Sequence, residues 1–443
     1  MKVTRLPRDP GVSGWNALLP IAASAEVLED AITADWLVIG AGFAGLAAAR
    51  RLAQLHPGDR IVMLEASRVG AGPAGRNSGF MIDLPHDLAS EDYGGALERD
   101  AAQTRANRAG INFAAEMATE YALGDEAFAP TGKVNGAASD AGHQNNLDYA
   151  AHLTAMNEAH EMLDASQMQE MTGSSYYCSG LLTPGTVMIH PAMFVRGVAD
   201  GLRLSGVRIF ESSPVISLSR DGAWLATTPR GSVSAPRAIL AVNGHVNSFG
   251  HFAQQLLHVF TYASMTRALT PEECATLGGD LRWGITPAHP LGTTVRRISG
   301  TGGDRIIIRN RFTMDPSMEV SGRRIARVGR DHDRAFVARF PMLGDVSMQY
   351  RWGGRLCLSW NNVPALGEVD EGLFSACCQN GLGTAKGTLH GMLTADLASG
   401  HHTPLLHDVM AQPAPRRLPP GPLTYLGANA TMLWGEHKAG KEF

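Results

Sequence analysis

Cysteine is scarce in this sequence. The 443 residues contain five cysteines, and no two of them form a C-x-x-C pair. A disulfide framework and a zinc ribbon are therefore excluded, because both need cysteines paired at short spacing. We interpret the adjacent Cys377 and Cys378 as small residues on a buried strand rather than as a redox pair. We expect a reducing compartment, the cytoplasm, and no metal site.

Long apolar runs and basic clusters are also missing. No window approaches the roughly 20 apolar residues that a membrane span needs, and residues 1–20 lack the apolar core of a signal peptide. The pairs Arg323-Arg324 and Arg416-Arg417 are too short for a basic patch, and the net charge is −4. Nucleic acid is therefore excluded as the main partner. A hydrophobic content of 44 % and a charged content of 18 % are typical of a globular chain of two or three domains.

Glycine, in contrast, is abundant, with 50 residues, and three of them form a pattern. A short apolar run at 36–39 predicts a buried parallel strand that ends at Gly40. Gly40, Gly42 and Gly45 give G-x-G-x-x-G, and a stretch with helical propensity follows. A second apolar run then ends at Glu65. This order of strand, glycines, helix, strand and acid predicts a dinucleotide-binding unit.

Each part of the motif has a mechanical role. Gly40 permits the tight turn, Gly42 lets a pyrophosphate approach the backbone, and Gly45 lets the helix pack closely on the strand. The start of the helix offers unpaired N–H groups and a positive dipole to the phosphates. The Glu65 carboxylate can accept hydrogen bonds from both ribose hydroxyls. The alternative is a glycine-rich βαβ unit that binds nothing, since 50 glycines make chance matches common.

The rest of the chain mixes helical and strand patterns. Residues 1–33 lack a repeating apolar pattern and are predicted to form an extended arm over the surface. Residues 90–170 are predicted to be mostly helical, with helices near 95–122 and 142–164. Period-two alternation predicts strands at 207–210, 215–218, 224–228, 232–233, 238–244, 257–269, 293–298 and 305–313. Residues 374–399 fit a strand, a glycine turn and a long helix, whereas the Pro/Gly-rich tail after Pro413 is predicted to dock rather than fold alone.

Apolar strands return near residues 240 and 375, after the dinucleotide motif. We therefore expect a discontinuous cofactor domain into which a second domain is inserted. The predicted ranges are an N-terminal arm at 1–33, a cofactor domain at 34–90, 185–250 and 350–410, a substrate domain at 91–184 and 251–349, and a tail at 411–443.

Several stretches together resemble one family. They are the opening βαβ unit, the Gly-Arg-Asn loop at 75–77, Met188-Ile189-His190-Pro191, Ala241-Val242-Asn243-Gly244 and Gly381-Leu382-Gly383-Thr384. The chain is similar, over about residues 35–400, to the D-amino-acid-oxidase-like FAD-dependent oxidoreductases. Trp352-Gly353-Gly354 ahead of Pro364-Ala365-Leu366-Gly367 resembles the γ-glutamylputrescine oxidase-like branch. The resemblance implies an α/β fold. Its Rossmann-like FAD-binding domain would be discontinuous, of the glutathione-reductase type, and the inserted α+β substrate domain would be built on a mixed or antiparallel sheet.

The resemblance also implies which residues contact FAD. Gly40, Gly42 and Gly45 would hold the pyrophosphate and Glu65 the adenosine ribose, while Arg76 would pass the isoalloxazine and could face phosphate. The remaining implied contacts are Ala41, Phe43, Ala44, Ala66, Asn77, Ser78, Gly79, Val215, Ala241, Gly244, Gly381, Gly383 and Thr384. The last three would bring N–H groups to the flavin N1/O2 edge, where negative charge grows on reduction.

Some positions depart from the family pattern. Ala74 stands where the branch usually has serine, Ser78 where it often has glycine, and Leu382 where relatives often carry histidine. No histidine or cysteine lies at the usual linkage positions, so we expect non-covalent FAD. Lys386 lies one residue off the register of an oxygen-activating lysine, and a lysine on the helix surface is the alternative.

The resemblance implies oxidation of a C–N bond in a small amine or amino acid, with hydride transfer to flavin N5 and hydrolysis of the imine product. No dedicated base is required, so the residues to find are those that bind substrate. A substrate carboxylate favours arginine. Strand alternation lets only one of Arg296 and Arg297 point inward, whereas Arg309 and Arg311 should share a face. His190, Tyr262 and His289 are further candidates, each with a structural alternative.

Other functions remain open. The sequence does not show whether oxygen or another molecule accepts the electrons. The chain could instead be an FAD-dependent dehydrogenase of another small metabolite that passes electrons to an acceptor other than oxygen, or a non-catalytic flavin-binding subunit of a complex. Monooxygenases of the aromatic-hydroxylase type share the opening motif, but their late Gly-Asp does not occur at 365–385. An oligomer is compatible with the sequence.

Overall fold

The structure is a computed structural model that describes residues 1–21, 24–85, 90 and 93–443. Its strands are β1 (Ala31–Thr33), β2 (Trp36–Ile39), β3 (Ile61–Leu64), β4 (Phe80–Met81), β5 (Phe128–Ala129), β6 (Lys133–Ala137), β7 (Glu161–Asp164), β8 (Ser179–Thr183), β9 (Val187–Ile189), β10 (Arg208–Phe210), β11 (Ser217–Asp221), β12 (Ala223–Thr227), β13 (Ser232–Ala235), β14 (Arg237–Leu240), β15 (Leu256–Thr266), β16 (Trp283–Pro287), β17 (Thr294–Ile298), β18 (Arg305–Met314), β19 (Met348–Ser359), β20 (Ala365–Asp370) and β21 (Leu373–Cys377).

The α-helices are α1 (Gly14–Ala17), α2 (Phe43–Leu55), α3 (Leu97–Glu120), α4 (Asp140–Ala155), α5 (Ala165–Thr172), α6 (Pro191–Leu204), α7 (Pro271–Leu277), α8 (Gly322–Arg339), α9 (Ala385–Ala398), α10 (Pro404–Met410) and α11 (Gly421–Ala439). Short 3₁₀ helices span Pro73–Gly75, Asn243–Phe249, Pro341–Leu343 and Gly440–Glu442. Among the described residues, every helix is too short or too polar to span a bilayer.

A six-stranded sheet carries the glycine motif. Its strand order is β10-β3-β2-β14-β21-β20, and neighbours run parallel except the edge pair β20–β21. Every residue of β2 is buried, as expected for a parallel strand that is covered on both faces. Helices α2, α3, α6 and α9 cover one face, and the β11–β13 meander covers the other. The carboxyl ends of the central strands therefore open onto one crevice, where open α/β sheets bind ligands.

Small residues bring α2 and α9 into contact. A Cβ on Gly391 would lie 2.0 Å from the Ala44 carbonyl oxygen, and one on Gly387 would lie 3.3 Å from Phe43 Cβ. This close packing lets both helices begin beside the same crevice, so two positive helix dipoles face one space.

The second sheet has eight strands in the order β19-β15-β18-β17-β16-β6-β8-β7. All neighbours are antiparallel except β16 and β6. Helices α8 and α11 pack against β18, and a small third sheet, β4-β9-β5, adjoins the first. The predicted α/β fold with a mixed second sheet is confirmed.

Three expectations differ from the structure. The helix predicted at 142–164 ends at Ala155, because Asn157 adopts a positive φ of 57° and the chain continues into β7. The tail, which was predicted to dock rather than fold alone, packs on β18 as the 19-residue helix α11, a helix that the sequence did not predict and that includes Pro422 in its first turn. Strand β19 pairs with β15 in the large sheet, whereas the prediction counted residues from 350 onward with the cofactor domain. The division into discontinuous domains stays a prediction.

Candidate active site

One elongated cavity lies at the carboxyl edge of the six-stranded sheet and extends to the eight-stranded sheet. Most residues that the resemblance assigned to FAD line it: Gly40, Ala41, Gly42, Phe43, Ala44, Glu65, Ala66, Arg76, Asn77, Ser78, Val215, Ala241, Gly244, Gly381, Gly383 and Thr384. Gly45 and Gly79 lie outside the lining and serve packing instead. Among the described residues, no group of histidine, cysteine, aspartate and glutamate could hold a metal ion.

Glycine is favoured at the three motif positions for different physical reasons. Gly40 has a φ of 103°, and a Cβ there would lie 2.6 Å from the Ala241 carbonyl oxygen. A Cβ on Gly45 would lie 1.8 Å from the Gly40 carbonyl oxygen, so Gly45 is fixed by the turn itself. Gly42 differs, because its Cβ would approach only Ala74 Cβ, at 3.6 Å. The protein alone does not require glycine at 42, whereas a ligand seated against this backbone does.

Helix α2 begins directly after Gly42, which offers no side chain to cap it. Its first backbone N–H groups are therefore available to an anion in the cavity.

Glu65 is held by the backbone at the end of β3. Its Oε2 accepts a hydrogen bond from the Ala41 N–H at 2.9 Å, and its Oε1 accepts one from the Ser67 N–H at 3.0 Å. Burial raises the pKa of this carboxyl group, and the two backbone donors oppose that rise. Each oxygen keeps acceptor capacity toward the cavity, as recognition of two ribose hydroxyls requires.

Arg76 does not face phosphate. Its guanidinium donates to the carbonyl oxygens of Ala71, at 2.7 Å, and of Gly11, Pro10 and Gly353. The Arg76 carbonyl oxygen accepts a hydrogen bond from the Trp352 indole at 2.9 Å. Arg76 therefore joins the N-terminal arm and β19 to the Gly-Arg-Asn loop.

The loop beyond Arg76 is fixed by its own side chains. The Asn77 amide donates to the Ala74 carbonyl oxygen at 2.7 Å, and its Oδ1 accepts from the Gly79 N–H at 2.8 Å. The Trp15 indole donates to the Asn77 carbonyl oxygen at 2.8 Å. Residues 76–78 thus present a preformed backbone to the cavity.

A third segment reaches the cavity at the start of α9. Gly381 has a φ of 86°, and a Cβ on Gly383 would meet no atom within 4 Å. The Thr384 hydroxyl donates to the Phe80 carbonyl oxygen at 2.6 Å, so it does not cap α9. The N-terminus of α9 is therefore not capped by a side chain, and it faces the cavity. Lys386 is the second residue of α9 and does not line the cavity.

The N-terminal arm covers the cavity, which the sequence did not reveal. Val3, Arg5, Leu6, Pro7 and Asp9 all contribute to the lining. The arm is anchored at both ends, because the Val3 N–H donates to the Ile216 carbonyl oxygen at 2.9 Å and the indole of buried Trp15 to the Asn77 carbonyl oxygen. The part of the predicted arm between residues 3 and 9 therefore forms one wall of the cavity.

Arg309 is one of the arginines in the cavity wall. It lies on β18 opposite Ala263 of β15, and both residues line the cavity. The guanidinium stacks over the Phe312 ring at 4.5 Å, and burial lowers the pKa of Arg309 to about 10. Within the described residues it has no hydrogen bond and no ion pair. Arg309 is a half-buried cation that meets no anion in the part of the chain that the structure describes, so this site favours an anionic ligand.

Arg311 does not share the face of Arg309. The pairing of β15 with β18 passes from Thr261–Phe312 to Tyr262–Asn310, which leaves Arg311 as the extra residue of a β-bulge with a φ of 61°. Its side chain turns away from the cavity to Asp331, at 2.8 Å, and to Glu436. The expectation of a shared face was wrong because a bulge breaks strand alternation.

Arg296 and Arg297 are both buried, on opposite faces of β17. Arg296 lies outside the cavity lining and donates to the carbonyl oxygens of Ser78, Gly79 and Ile189 at 3.1, 2.8 and 2.8 Å. Arg297 donates to the Gly278 carbonyl oxygen. Both guanidinium groups donate to backbone carbonyl oxygens. Arg296 therefore supports the loop at 78–79 and is not placed to bind substrate.

Of the remaining candidates for substrate binding, one lines the cavity and two do not, and all three side chains have partners within the protein. His190 is buried outside the lining, where its Nδ1 accepts from the Met193 N–H and caps α6. Burial lowers the pKa of His190 to about 3, so the ring is neutral. Tyr262 lines the cavity, but its hydroxyl lies 2.6 Å from Thr313 Oγ1. His289 does not line the cavity, and its Nδ1 accepts from the Leu291 N–H at 3.2 Å.

A lysine that the sequence did not single out lies one hydrogen bond behind the cavity wall. Lys133 donates to Asn135 Oδ1 and to Thr286 Oγ1, the latter at 3.1 Å, and Thr286 lines the cavity. Burial lowers the pKa of Lys133 to about 8, partly offset by the charge of Asp83. No local signal marked Lys133, because it lies within a break between helical patterns.

Comparison with known proteins agrees with this geometry. The family model described as DAO, FAD dependent oxidoreductase, matches residues 35–397. The chain is 26 % identical over 418 residues to the probable oxidoreductase OrdL of Rhizobium meliloti. That alignment covers 90 % of this chain and 91 % of the relative. The chain is 27 % identical over 390 residues to the γ-glutamylputrescine oxidoreductase of Escherichia coli, which covers 85 % and 86 %.

Solved structures share the fold at low identity. The glycine oxidase of Geobacillus kaustophilus superposes with a TM-score of 0.70 at 17 % identity and covers 87 % of this chain and 99 % of its own. The L-proline dehydrogenase of P. horikoshii gives a TM-score of 0.66 at 15 % identity and covers 86 % and 97 %. The resemblance inferred from the sequence is confirmed.

Proposed function

Because the chain belongs to the DAO family of FAD dependent oxidoreductases, we propose that it oxidises the C–N bond of a small amine that also carries a carboxylate, that is, an amino acid. The observation that carries this proposal is the Arg309 guanidinium in the cavity wall, which has no anionic partner within the described residues. An arginine in such a place matches a carboxylate in charge and in the fork of its donors. The imine product would hydrolyse in water.

The residues present fit FAD. Gly42 and Gly383 leave open space where a Cβ would meet at most Ala74, at 3.6 Å. Helices α2 and α9 both begin at the cavity without a side-chain cap, and Glu65 offers two carboxylate oxygens at the end of β3. Gly40, Gly42 and the start of α2 would hold the pyrophosphate, Glu65 the ribose, and residues 76–78 and 381–384 the isoalloxazine.

The chemistry that FAD supplies when bound is acceptance of a hydride at N5. Arg309 would bind the substrate carboxylate and so fix which carbon faces that acceptor. The Thr286 hydroxyl, on the same wall, can accept a hydrogen bond from the substrate nitrogen. The charges of Arg309 and Lys133 would disfavour a third cation nearby, so they would lower the pKa of the substrate ammonium and favour the neutral amine that can be oxidised.

The test mixes the FAD-loaded protein, without oxygen, with a panel of candidate substrates. The panel contains matched pairs, each an amino acid and the amine formed by removing its carboxyl group. Secondary amines and hydroxy acids complete the panel. We expect the 450 nm absorbance of the bound flavin to bleach with amino acids and to bleach at least about tenfold more slowly with the paired amines.

Dithionite reduction of the same sample is the control, because it shows that the flavin is competent. Readmission of oxygen then separates an oxidase, which recovers its colour quickly, from a dehydrogenase that uses another acceptor. If dithionite bleaches the flavin and no compound of the panel does, the proposal is overturned.

A further inference from the structure

Helix α11 presents an inverted surface. The residues that it fully buries against the protein are small or polar, namely Thr424, Glu436 and Ala439, and Met432 is half-buried. The residues that it turns to solvent are large and apolar: Leu423 is 64 % exposed, Leu426 65 %, Leu433 55 % and Trp434 63 %. A surface helix of a globular protein normally has the opposite arrangement. The solvent face of α11 is therefore an exposed apolar surface of the kind that binds another molecule.

The inner face is bound by specific polar contacts. Glu436 Oε1 accepts a hydrogen bond from the Phe312 N–H at 2.8 Å, and its Oε2 pairs with Arg311. Asn429 Oδ1 accepts from the Met314 N–H at 3.1 Å, and its amide donates to the Met314 carbonyl oxygen at 3.2 Å. These contacts fix the rotation of the helix on β18, so its apolar face cannot turn inward.

The outer face is a single stripe whose residue spacing, though not its residue types, is symmetric about Ala430. We name it the α11 stripe; every member is exposed, and it consists of Leu423, Leu426, Gly427, Ala430, Leu433, Trp434 and His437. The steps of three and four residues keep the stripe on one side of the helix. Counted outward from Ala430, Gly427 mirrors Leu433, Leu426 mirrors Trp434 and Leu423 mirrors His437. Two such helices laid antiparallel would set a small residue against a large one near the centre.

The composition distinguishes a second copy from a lipid surface. A helix that lies on a membrane carries lysine and arginine along its polar face. Residues 418–435 contain no charged residue at all, and the face opposite the stripe is already occupied by β18. Gly427 and Ala430 at the centre permit the close approach of another helix, whereas a lipid surface gains nothing from small residues there.

We propose that two copies of this chain associate through their α11 stripes, packed antiparallel across a twofold axis near Ala430. A twofold interface is made from the same patch on both subunits, which the mirrored spacing of the stripe satisfies. This inference is independent of the reaction, because no residue of the stripe lines the cavity.

The size of the stripe sets the expected strength. A 19-residue helix is about 28 Å long and about 10 Å wide, so it covers roughly 300 Å² of each partner. Stable interfaces cover about 800 Å² per partner. We therefore expect a reversible dimer that dissociates on dilution.

The first test is the mass of the FAD-loaded protein by sedimentation between about 1 and 100 µM, the range where interfaces of this size associate. We expect the average mass to rise from one chain of 47.2 kDa toward two. Leu426→Glu with Leu433→Glu should raise the dissociation constant at least about 100-fold, because both charges would be buried at the seam. These side chains are exposed in the monomer, so folding and flavin content should not change.

The control is Leu204→Glu, which introduces one glutamate at the end of α6, where the side chain is 92 % exposed; each single variant, Leu426→Glu and Leu433→Glu, is compared with it directly. It should associate as the unchanged protein does. A second test places Ala430→Cys in a Cys178→Ser background and adds a short bismaleimide. Two thiols on the axis should join the chains, whereas Leu204→Cys in the same background should give no joined pair.

Several results would overturn the inference. One is a single-chain mass throughout the concentration range, and another is a dimer that the two glutamates leave intact. A third is a dimer in which the Ala430→Cys thiols fail to join. Vesicles of phosphatidylcholine and phosphatidylglycerol test the lipid alternative. Co-flotation that the same glutamates abolish, with no dimer in solution, would assign the stripe to membrane instead.

Discussion

The Asp9 carboxylate of the N-terminal arm lies 2.7 Å from the Arg355 guanidinium of β19, and both side chains are almost fully buried. Both residues line the cavity. Arg355 also contacts His245, which burial keeps neutral by lowering its pKa to about 3. Asp9 is thus the anion that this arginine meets, and the ion pair ties the arm across the site.

Asp9→Asn should loosen the arm. It leaves the Arg355 cation buried without a charged partner, which costs about 3 kcal/mol of the free energy of unfolding. We expect a lower thermal midpoint and faster release of FAD, measured by flavin fluorescence after dilution. Arg8→Gln on the same arm is the control, because Arg8 is 78 % exposed and lies 3.9 Å from Glu319. Equal release rates in the two variants would show that the ion pair does not retain the cofactor.

Glu65→Ala should lose most of its FAD, because the ribose would lose both acceptor oxygens. Equilibrium binding of FAD to the apoprotein measures the loss. In the unchanged protein, affinity should fall as the pH falls through the carboxyl pKa, which burial raises above its ordinary value of 4.5. The sign follows because the protonated carboxyl group is a poorer acceptor. An affinity that Glu65→Ala leaves unchanged would place the ribose elsewhere.

The stability of the apoprotein should depend on pH in the opposite sense. A raised pKa in the folded state means that the unfolded chain releases this proton first. The Glu65 contribution to the free energy of unfolding is therefore largest at low pH and is lost as the pH rises through the raised pKa. Chemical unfolding of the apoprotein with and without Glu65→Ala separates this term from other carboxyl groups. A difference that does not vary with pH would contradict the raised pKa.

Gly42→Ala should impair FAD binding, whereas Gly45→Ala should impair the stability of the protein itself. At position 42 the added Cβ meets only Ala74, at 3.6 Å, so the apoprotein should keep its thermal midpoint while FAD affinity falls at least about tenfold. At position 45 the added Cβ lies 1.8 Å from the Gly40 carbonyl oxygen, which should destabilise the protein by about 3 kcal/mol or more. If Gly42→Ala binds FAD normally, the pyrophosphate does not approach this backbone.

Arg309→Met should weaken binding of carboxylate substrates by about 2–4 kcal/mol, roughly 30- to 1,000-fold. The dissociation constant from the rate of anaerobic flavin reduction measures this loss. Arg309→Lys should recover only part of it, because one ammonium group cannot reproduce the forked contact. The paired amines without a carboxylate are the internal control and should bind about equally to all three proteins. An equal loss for amines and amino acids would remove Arg309 from substrate binding.

Lys133 should make anion binding depend on pH. Benzoate, which has no titrating group near neutral pH, can report binding through the flavin spectrum without reacting. Its dissociation constant should rise as Lys133 loses its proton near pH 8, and Lys133→Met should bind more weakly at pH 7 and show no such step. Asp83 is the carboxylate whose charge acts on Lys133, so Asp83→Asn should move the step to lower pH. A step that persists in Lys133→Met would belong to another group.

The sequence predicted the cofactor half of the molecule well, because its signals are local. The turn at Gly40, the start of α2 and the acid at Glu65 lie within one βαβ unit, where spacing alone fixes the geometry. Period-two alternation, which is also local, found β15, β17 and β18 of the second sheet. It missed β6, β7, β8 and β16, and β7 lies within the stretch predicted as the helix 142–164.

Contacts between distant segments could not be predicted. Asp9 and Arg355 are 346 residues apart, and neither belongs to a motif. Arg76 was expected to be free to face phosphate, and its partners at Pro10 and Gly11 come from an arm whose path has no periodic signal. The inverted face of α11 was likewise hidden, because proline and glycine dominate the segment before it.

The bulge at Arg311 has a consequence for how relatives are aligned. One extra residue in β18 separates Arg309, which faces the cavity, from Arg311, which holds α8 and α11. A relative that lacks this residue would, without a gap at this position, have its substrate-facing side chain matched to the wrong column. Substrate preference inferred from such columns would then be transferred between residues that lie on opposite faces of the sheet. Alignments across this strand therefore need the bulge, and not the arginines, as their reference point.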